Sequence, residues 1–433
     1  DVCSSDLTDY VIATSADNGV EIIDVSTPSS PSSVGRVADS AQRYLDTPRG
    51  LDVIKIGDST YAVVASYEED GIEIIDISTP SSPSSVGRVA DDATRLLNGA
   101  SDVSAIAIGD STYAVVASYY DSGIEIIDIS TPSSPSSVGR VADSGGDQRL
   151  VGAENVRTLQ IGSSYYAIVS GTADTGVEII DITDPSSPSS VSNIGDTGSL
   201  NIDTPRGIAL SVIGGTNYAI VAGNADNGIE IISLSNINSP SGAGRINDND
   251  ARELAGPWDV ETFSLTSGTY AVVSGRTDDG VSVVKITTVS SPEYVAEVED
   301  DLTTLLNDPQ GLDVFEIGTL RYVAVAGTGD NGIEIVQLST GSSADTVQTS
   351  FTKLKSLTES VSVTDSTSVI KTVSLSEDLA LAASTVKSAT KPVDESVQFT
   401  DTFGETSKET VALSEELSIT DALAAGKRSE EHV

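Results

Sequence analysis

Seven tyrosines, Tyr10, Tyr61, Tyr113, Tyr166, Tyr218, Tyr270 and Tyr322, each open an apolar run that meets an acidic turn and restarts as a Gly-Ile-Glu-Ile-Ile-Asp-like run. Their spacing is 51, 52, 53, 52, 52 and 52 residues. The chain is therefore an array of one supersecondary unit, none of which buries its apolar faces alone. In the second unit, stretches 50–56, 61–66, 71–77 and 86–90 have strand length, are rich in Val, Ile and Tyr, and are bounded by Gly, Pro, Ser or Asp. That chemistry predicts a four-stranded antiparallel meander. The pairs Asn18-Gly19, Asp70-Gly71, Asn227-Gly228, Asp279-Gly280 and Asn331-Gly332 are expected to supply the positive backbone angles of a tight hairpin between second and third strands. Pro80 and Pro83 lack a backbone donor, which keeps the connection after the third strand out of the sheet.

Repeats of four short strands predict an all-β, seven-bladed β-propeller over residues 1–350, with an open horseshoe-like solenoid as the alternative. The innermost strand is visible six times, beginning near Leu51, Ser101, Val156, Ile208, Trp258 and Leu312. The first blade is accordingly expected to lack it. The segments Ile75-Asp76-Ile77-Ser78-Thr79-Pro80 and Ile180-Asp181-Ile182-Thr183-Asp184-Pro185 resemble the core of the LVIVD-repeat propellers. The resemblance is specific over residues 10–200 and weaker to 350, where Ser233, Lys285 and Gln337 replace the aspartate. It implies a propeller displayed at a cell surface or secreted; separately, the blade length and the Ser-Pro-rich, acidic style resemble surface proteins of marine archaea.

Composition changes near residue 350. Of 37 glycines only Gly404 and Gly426 lie beyond it, and all 13 tyrosines lie before it. The tail has its own period of 18 to 20 residues, marked by Glu359, Glu377, Glu395 and Glu415, with alternating runs such as Val361-Ser362-Val363. A C-terminal β-repeat stalk is expected over 351–426, with partial disorder as the rival reading. The terminal strings 1–7 and 427–433 hold the only cysteine, Cys3, and the only histidine, His432. They resemble translated sequencing-adapter sequence and are expected to be foreign to the native chain.

With Cys3 and His432 set aside, the chain has neither imidazole nor thiol. Ser-His-Asp and Cys-His catalysis are excluded, as are the usual ligand sets of zinc, copper, haem iron and iron–sulfur clusters. A formal charge of −42 argues against nucleic acid as a partner, because binding it requires phosphate neutralisation by Lys and Arg. No apolar run is long enough to span a membrane. Such acidity suits a solvated surface in salty water, outside the cell or on it.

An acid precedes each hairpin glycine by two residues: Asp17, Glu69, Asp121, Asp174, Asp226, Asp278 and Asp330. At propeller spacing neighbouring turns lie too far apart to share one ion, so this ring offers only weak Ca2+ or other divalent sites within single blades. The inner strands begin with Asp52, Asp102, Asn155, Ala209, Asp259 and Asp313, read as equivalent positions, with Arg49, Arg206 and Gln310 before them. Near the axis these side chains are candidates for binding one ion or a small polar ligand. The alternative is that each aspartate only accepts backbone hydrogen bonds. Trp258, with Pro257 and Asp259, breaks the sevenfold pattern most strongly and is either a ligand contact or a filler between blades. The sequence thus predicts a non-catalytic interaction, adhesion or display module without a required cofactor, binding a protein or cell-surface ligand on its acidic loop face. The alternative is a hydrolase or lyase that uses channel-mouth carboxylates with a hard metal.

Overall fold

Six repeats each fold as one antiparallel sheet whose four strands follow chain order, as in Pro48–Ile56, Ser59–Ser66, Gly71–Asp76 and Ser84–Ala90, and the seventh sheet has five strands, with the short Val347–Gln348 as well as Phe351–Lys355 beside Gly332–Thr340. The structure, a computed structural model, describes residues 2–4, 9–15, 18–248, 253–301, 304–340, 347–348 and 351–355. Second strands are buried on both faces; Ala62, Val63, Val64 and Ala65 are all 0% exposed. Sheets sandwiched between neighbours need apolar residues on both sides, which is why these strands read as continuous rather than alternating runs.

Closure is decided by counting interfaces. Seven apolar clusters occur among the described residues, and each is shared by two successive blades. An open array of seven units would have one interface fewer. The closing cluster packs Val11, Ala13, Ile23 and Val25 of the first blade against Phe315, Tyr322, Ala324 and Ile335 of the seventh. In the second blade Val63, Ile72 and Ile74 are buried and Tyr61 is half-buried against the same cluster.

The Ser-Pro connection also has a packing role. A Cβ on Gly35, Gly87 or Gly139 of an outer strand would lie 2.0, 2.0 and 2.1 Å from the carbonyl oxygens of Pro80, Pro132 and Pro185 in the next blade. The repeated Ser-Ser-Val-Gly-Arg segment therefore carries glycine because a neighbouring loop backbone rests there.

Three expectations are corrected. The first blade does have an inner strand: Val2–Ser4 pairs with residues 11–13, and is three residues long where the other six are nine. Without it, the axial edge of Tyr10–Ser15 would carry unpaired backbone groups. The propeller also extends past 350. Phe351–Lys355 pairs with Gly332–Thr340 and completes the last blade, and the chain divides at Ser356 rather than at 350. The register sets Lys353 across from Glu334, as Arg36, Arg88, Arg140 and Arg245 lie across from Glu21, Glu73, Glu125 and Glu230. The stalk expected over the rest of 351–426, the tail beyond it and Asp17 lie outside the described residues.

The third correction concerns the hairpins. Positive φ falls on the residue before each glycine: Asn18, Asp70, Ser122, Thr175, Asn227, Asp279 and Asn331, at 51 to 58°. The glycine is required by proximity instead, since a Cβ on Gly123 would lie 2.4 Å from the Val141 carbonyl oxygen of the outer strand.

Candidate functional site at the mouth of the axial channel

Each nine-residue inner strand starts with a residue paired to the end of its second strand: Pro48, Ala100, Ala153, Pro205, Pro257 and Pro309. In all six the register then slips. This leaves Arg49, Ser101, Glu154, Arg206, Trp258 and Gln310 without a ladder partner. Bulges of this kind re-aim a side chain. A second set comes from the first hairpin residue after each second strand: Tyr67, Tyr119, Thr172, Asn224, Arg276 and Thr328. All six donate their backbone N–H to the residue just ahead of their own inner strand. A repeating backbone thus presents two rings of non-repeating side chains.

Contacts across blades place the first ring at the axis. Arg49 in blade 2 reaches Glu154 in blade 4 at 3.6 Å, over blade 3, where the ring residue is the small Ser101. Arg206 in blade 5 approaches the same Glu154 oxygen at 2.7 Å. Two guanidinium carbons lie over the Trp258 ring, that of Arg206 at 4.2 Å and that of Arg276 at 4.4 Å. Arg276 also pairs with Asp308. On the opposite side Arg49 lies 3.4 Å over Tyr67, whose ring adjoins Tyr119 and Tyr120 at 6.2 and 5.3 Å.

Below this mouth lies an acidic layer around one cation. Arg157 bonds Asp102 at 2.8 Å and reaches across the axis to Glu261 in blade 6 at 3.8 Å, over Ala209 of blade 5. Burial pushes the Asp52 carboxyl up to about 6 and the Glu261 carboxyl up to about 8, and it also raises Asp102 and Asp259, in each case against the pull of Arg157. Burial works against the Arg157 charge as well, but Asp102, Glu261, Asp259 and Asp52 outweigh it and hold the guanidinium above its ordinary pKa. Among the described residues, no three His, Cys, Asp or Glu side chains stand close enough to hold one metal ion.

The inner-strand acids do not form one ring. Asp102, Asn155 and Asp259 stand at the third strand position, where other blades have Gly50, Gly207 and Gly311. Asp52, Ala209 and Asp313 stand two residues further on, level with Ser104, Arg157 and Glu261. Four of these side chains accept backbone N–H groups of the next blade, and Asp102 pairs with Arg157 as well. Asp52 accepts the N–H of Ala105 at 2.7 Å, Asp102 that of Val156 at 2.9 Å, Asn155 that of Ile208 at 3.1 Å and Asp259 that of Leu312 at 3.0 Å. A Cβ on Gly50 or Gly207 would collide with the following Asp102 or Asp259, at 2.3 and 2.4 Å from its Oδ1.

The hairpin acids likewise bind backbone. Glu69, Asp121, Asp174, Asp226, Asp278 and Asp330 accept N–H groups of Asp46, Asn98, Val151, Asp203, Ala255 and Asn307, each 23 residues upstream. Each carboxylate ties the connection entering its own blade. Of the predicted site residues, Arg49, Arg206 and Trp258 meet at the mouth, whereas Glu154, Arg157, Glu261, Tyr67, Tyr119 and Arg276 were not anticipated. A signal existed, because the residue six beyond each repeat tyrosine reads Ala16, Tyr67, Tyr119, Thr172, Asn224, Arg276 and Thr328.

A family model described as LVIVD repeat matches residues 9–39, 57–91, 101–143 and 166–196. No curated protein matches the chain in sequence. Among solved structures it is similar to a putative 6-phosphogluconolactonase from Bacteroides uniformis, at 12% identity and a TM-score of 0.60 over 79% of this chain and 96% of that one. It is also similar to Kuenenia stuttgartiensis hydrazine synthase, at 16% and 0.57 over 78% and 95%. A functionally unknown protein from Desulfotomaculum acetoxidans gives 12% and 0.55 over 79% and 98%. At these identities the likeness is one of fold alone. The chain carries LVIVD repeats in its first four blades and closes them, with three more divergent blades, into a seven-bladed β-propeller.

Proposed function

We propose that this propeller is a non-catalytic interaction module of the cell surface or extracellular medium, which engages its ligand at the axial mouth. The observation that carries this reading is where the asymmetry falls. The clamping acids recur blade after blade, while the two mouth rings mix residue types from blade to blade and bring arginines and aromatic rings together. A site built on a repeat needs unique residues, and here they are held by bulges and backbone ties that repeat. The surplus of 65 acidic over 23 basic residues suits an exported, solvated surface.

The test is retention on immobilised extracellular polymers, namely acidic polysaccharide, neutral polysaccharide and a mucin-type glycoprotein. Arg49→Gln and Trp258→Ala should each clearly weaken retention, Ser81→Lys in a Ser-Pro loop should preserve it, and the eluted polymer should keep its length. Retention undiminished in both mouth variants, or a shortened polymer, would refute the reading.

A second reading, a hydrolase or lyase using channel carboxylates, is favoured by one observation. Glu261, pushed up to about 8, would hold a proton at neutral pH as a general acid must. Arg157, held between Glu261 and Asp102, also lies in that space. Release of reducing ends or unsaturated products from the same polymers, lost in Glu261→Gln, would establish this reading.

A further inference from the structure

We infer that the mouth recognises a carboxylated sugar, a uronic-acid residue of an acidic polysaccharide or its chain end; this rests on the binding role proposed above. The first ground is charge. In a chain with 65 acids and 23 bases, the mouth gathers Arg49, Arg206 and Arg276 against Glu154 and Asp308, leaving one positive charge in excess. The acids just below, Asp102 and Asp259, are 3% and 5% exposed and turn to Arg157 and to backbone N–H groups, and salt screens those farther than about 8 Å, so the guanidiniums are the charged groups that a ligand at the mouth meets first.

The second ground is the geometry of those arginines. Arg49 over Tyr67 and Arg276 over Trp258 are each 39% exposed, but Arg276 spends its Nε and Nη2 on Asp308, so the open in-plane edge is that of Arg49. A guanidinium stacked on a ring keeps its in-plane N–H edge for a carboxylate, which it grips bidentately. The Glu154 oxygen stands 3.6 Å from Arg49 Nη1, beyond hydrogen-bond length, so an incoming carboxylate has a better approach to that edge than the internal one.

The third ground is the remainder of the mouth, which suits a sugar ring rather than a bare anion. Tyr120 is 60% exposed and packs edge-on against Tyr119, 5.4 Å between centroids, on the side of the mouth where Arg49 lies over Tyr67. Its open face can receive the C–H face of a pyranose. Across the mouth, half-buried Asn224 and Gln310 flank Trp258 from the neighbouring blades. Asn224 spends one amide N–H on the Pro257 carbonyl at 3.3 Å, and Gln310 makes a long contact to Asp308 at 3.4 Å. Each amide retains a carbonyl oxygen to accept from a sugar hydroxyl. Carboxylate grip, stacking platform and neutral amides together specify a uronate.

The chain's single indole, Trp258, reports directly on this site. Fluorescence titration, paralleled by calorimetry, would compare trigalacturonate, neutral galactotriose and acetate at matched ionic strength. Trigalacturonate should give a saturable change. Arg49→Gln should weaken it by about tenfold, the value of one charge-assisted contact, and Tyr120→Ala should weaken it several-fold. Galactotriose binding as tightly as trigalacturonate would overturn carboxylate recognition, and acetate reproducing the change would reduce the site to a general anion site. Absence of saturation by both methods also overturns the inference. If polymer retention still depends on Arg49 and Trp258 in that last case, the ligand class is wrong and the mouth stands; if retention is lost as a mouth property too, both readings fall.

Discussion

Replacing Arg157 by Met should make the propeller's stability strongly pH-dependent, because this guanidinium is the counter-charge to the carboxylates of Asp102, Glu261, Asp259 and Asp52. Arg157 bonds Asp102, which is 4% exposed, at 2.8 Å and faces Glu261, Asp259 and Asp52. Methionine keeps much of the stem and removes the charge. Orphaning one partner of a buried pair costs about 3–5 kcal/mol, and a pair near 4 Å at an effective dielectric of 20 is worth about 4 kcal/mol, so the two routes agree. The sign with pH follows from the raised carboxyls. Burial lifts Asp52 to about 6 and Glu261 to about 8, so between roughly pH 4 and 8 the folded state holds more protons than the unfolded one, and stability falls as pH rises. Every tenfold gain in a carboxyl's proton affinity on folding corresponds to about 1.4 kcal/mol, discounted for Glu261 because its side chain is 25% exposed. In Arg157→Met the acids rise further. The variant should lose about 3–5 kcal/mol near pH 8 but only ~1–2 kcal/mol near pH 4.5, where the orphaned carboxyls are protonated. Urea unfolding followed by tyrosine and tryptophan emission, in ~0.5 M NaCl to screen the global charge, measures both. A loss equal at the two pH values, or no loss, would refute the assignment of Arg157 as the counter-charge of the layer.

Two further outcomes are expected. Gly123→Ala should cost about 1–3 kcal/mol, because its Cβ would lie 2.4 Å from the Val141 carbonyl oxygen, whereas Ser122→Gly should be neutral or stabilise by up to ~1 kcal/mol, since Ser122 holds φ at 55°; thermal midpoints in the reverse order would show that positive φ resides on the glycine. Iodide should quench Trp258 more efficiently than caesium despite the formal charge of −42, because Arg206 and Arg276 lie over the ring at 4.2 and 4.4 Å. Equal or stronger quenching by caesium would mean that the mouth is not locally cationic.

The blades were legible because the repeat tyrosine fixes a period that no local ambiguity disturbs. Closure was implied by the same arithmetic, and the cluster joining Val11 and Val25 to Phe315 and Ala324 realises it. The edges of the array were harder to read. Glycine and tyrosine counts set the boundary at 350, and Lys353 falls beyond it, although it occupies an outer-strand position that arginine fills in four other blades. A Lys-for-Arg exchange alters a composition count and leaves the ladder intact.

The site was harder for a physical reason. Side chains on a strand repeat with period two, so a slip of two residues leaves every side chain on the same face and is invisible to hydrophobic pattern. Asp52 and Asp102 each stand between an apolar residue or serine and a valine, and only the bulged register shows that they occupy different levels of the channel. Partners were equally hidden. A carboxylate bound to a backbone N–H 23 or 53 residues away, such as Asp121 to Asn98 or Asp52 to Ala105, leaves no local trace, because any residue but proline supplies that donor. Mutual alignment of the blades separates structure from recognition here. Acids that recur at a fixed offset clamp the frame, and the more variable positions, Arg49, Glu154, Arg206 and Trp258 in one ring and Tyr67, Tyr119 and Arg276 in the other, lie at the mouth where we propose that a ligand is held.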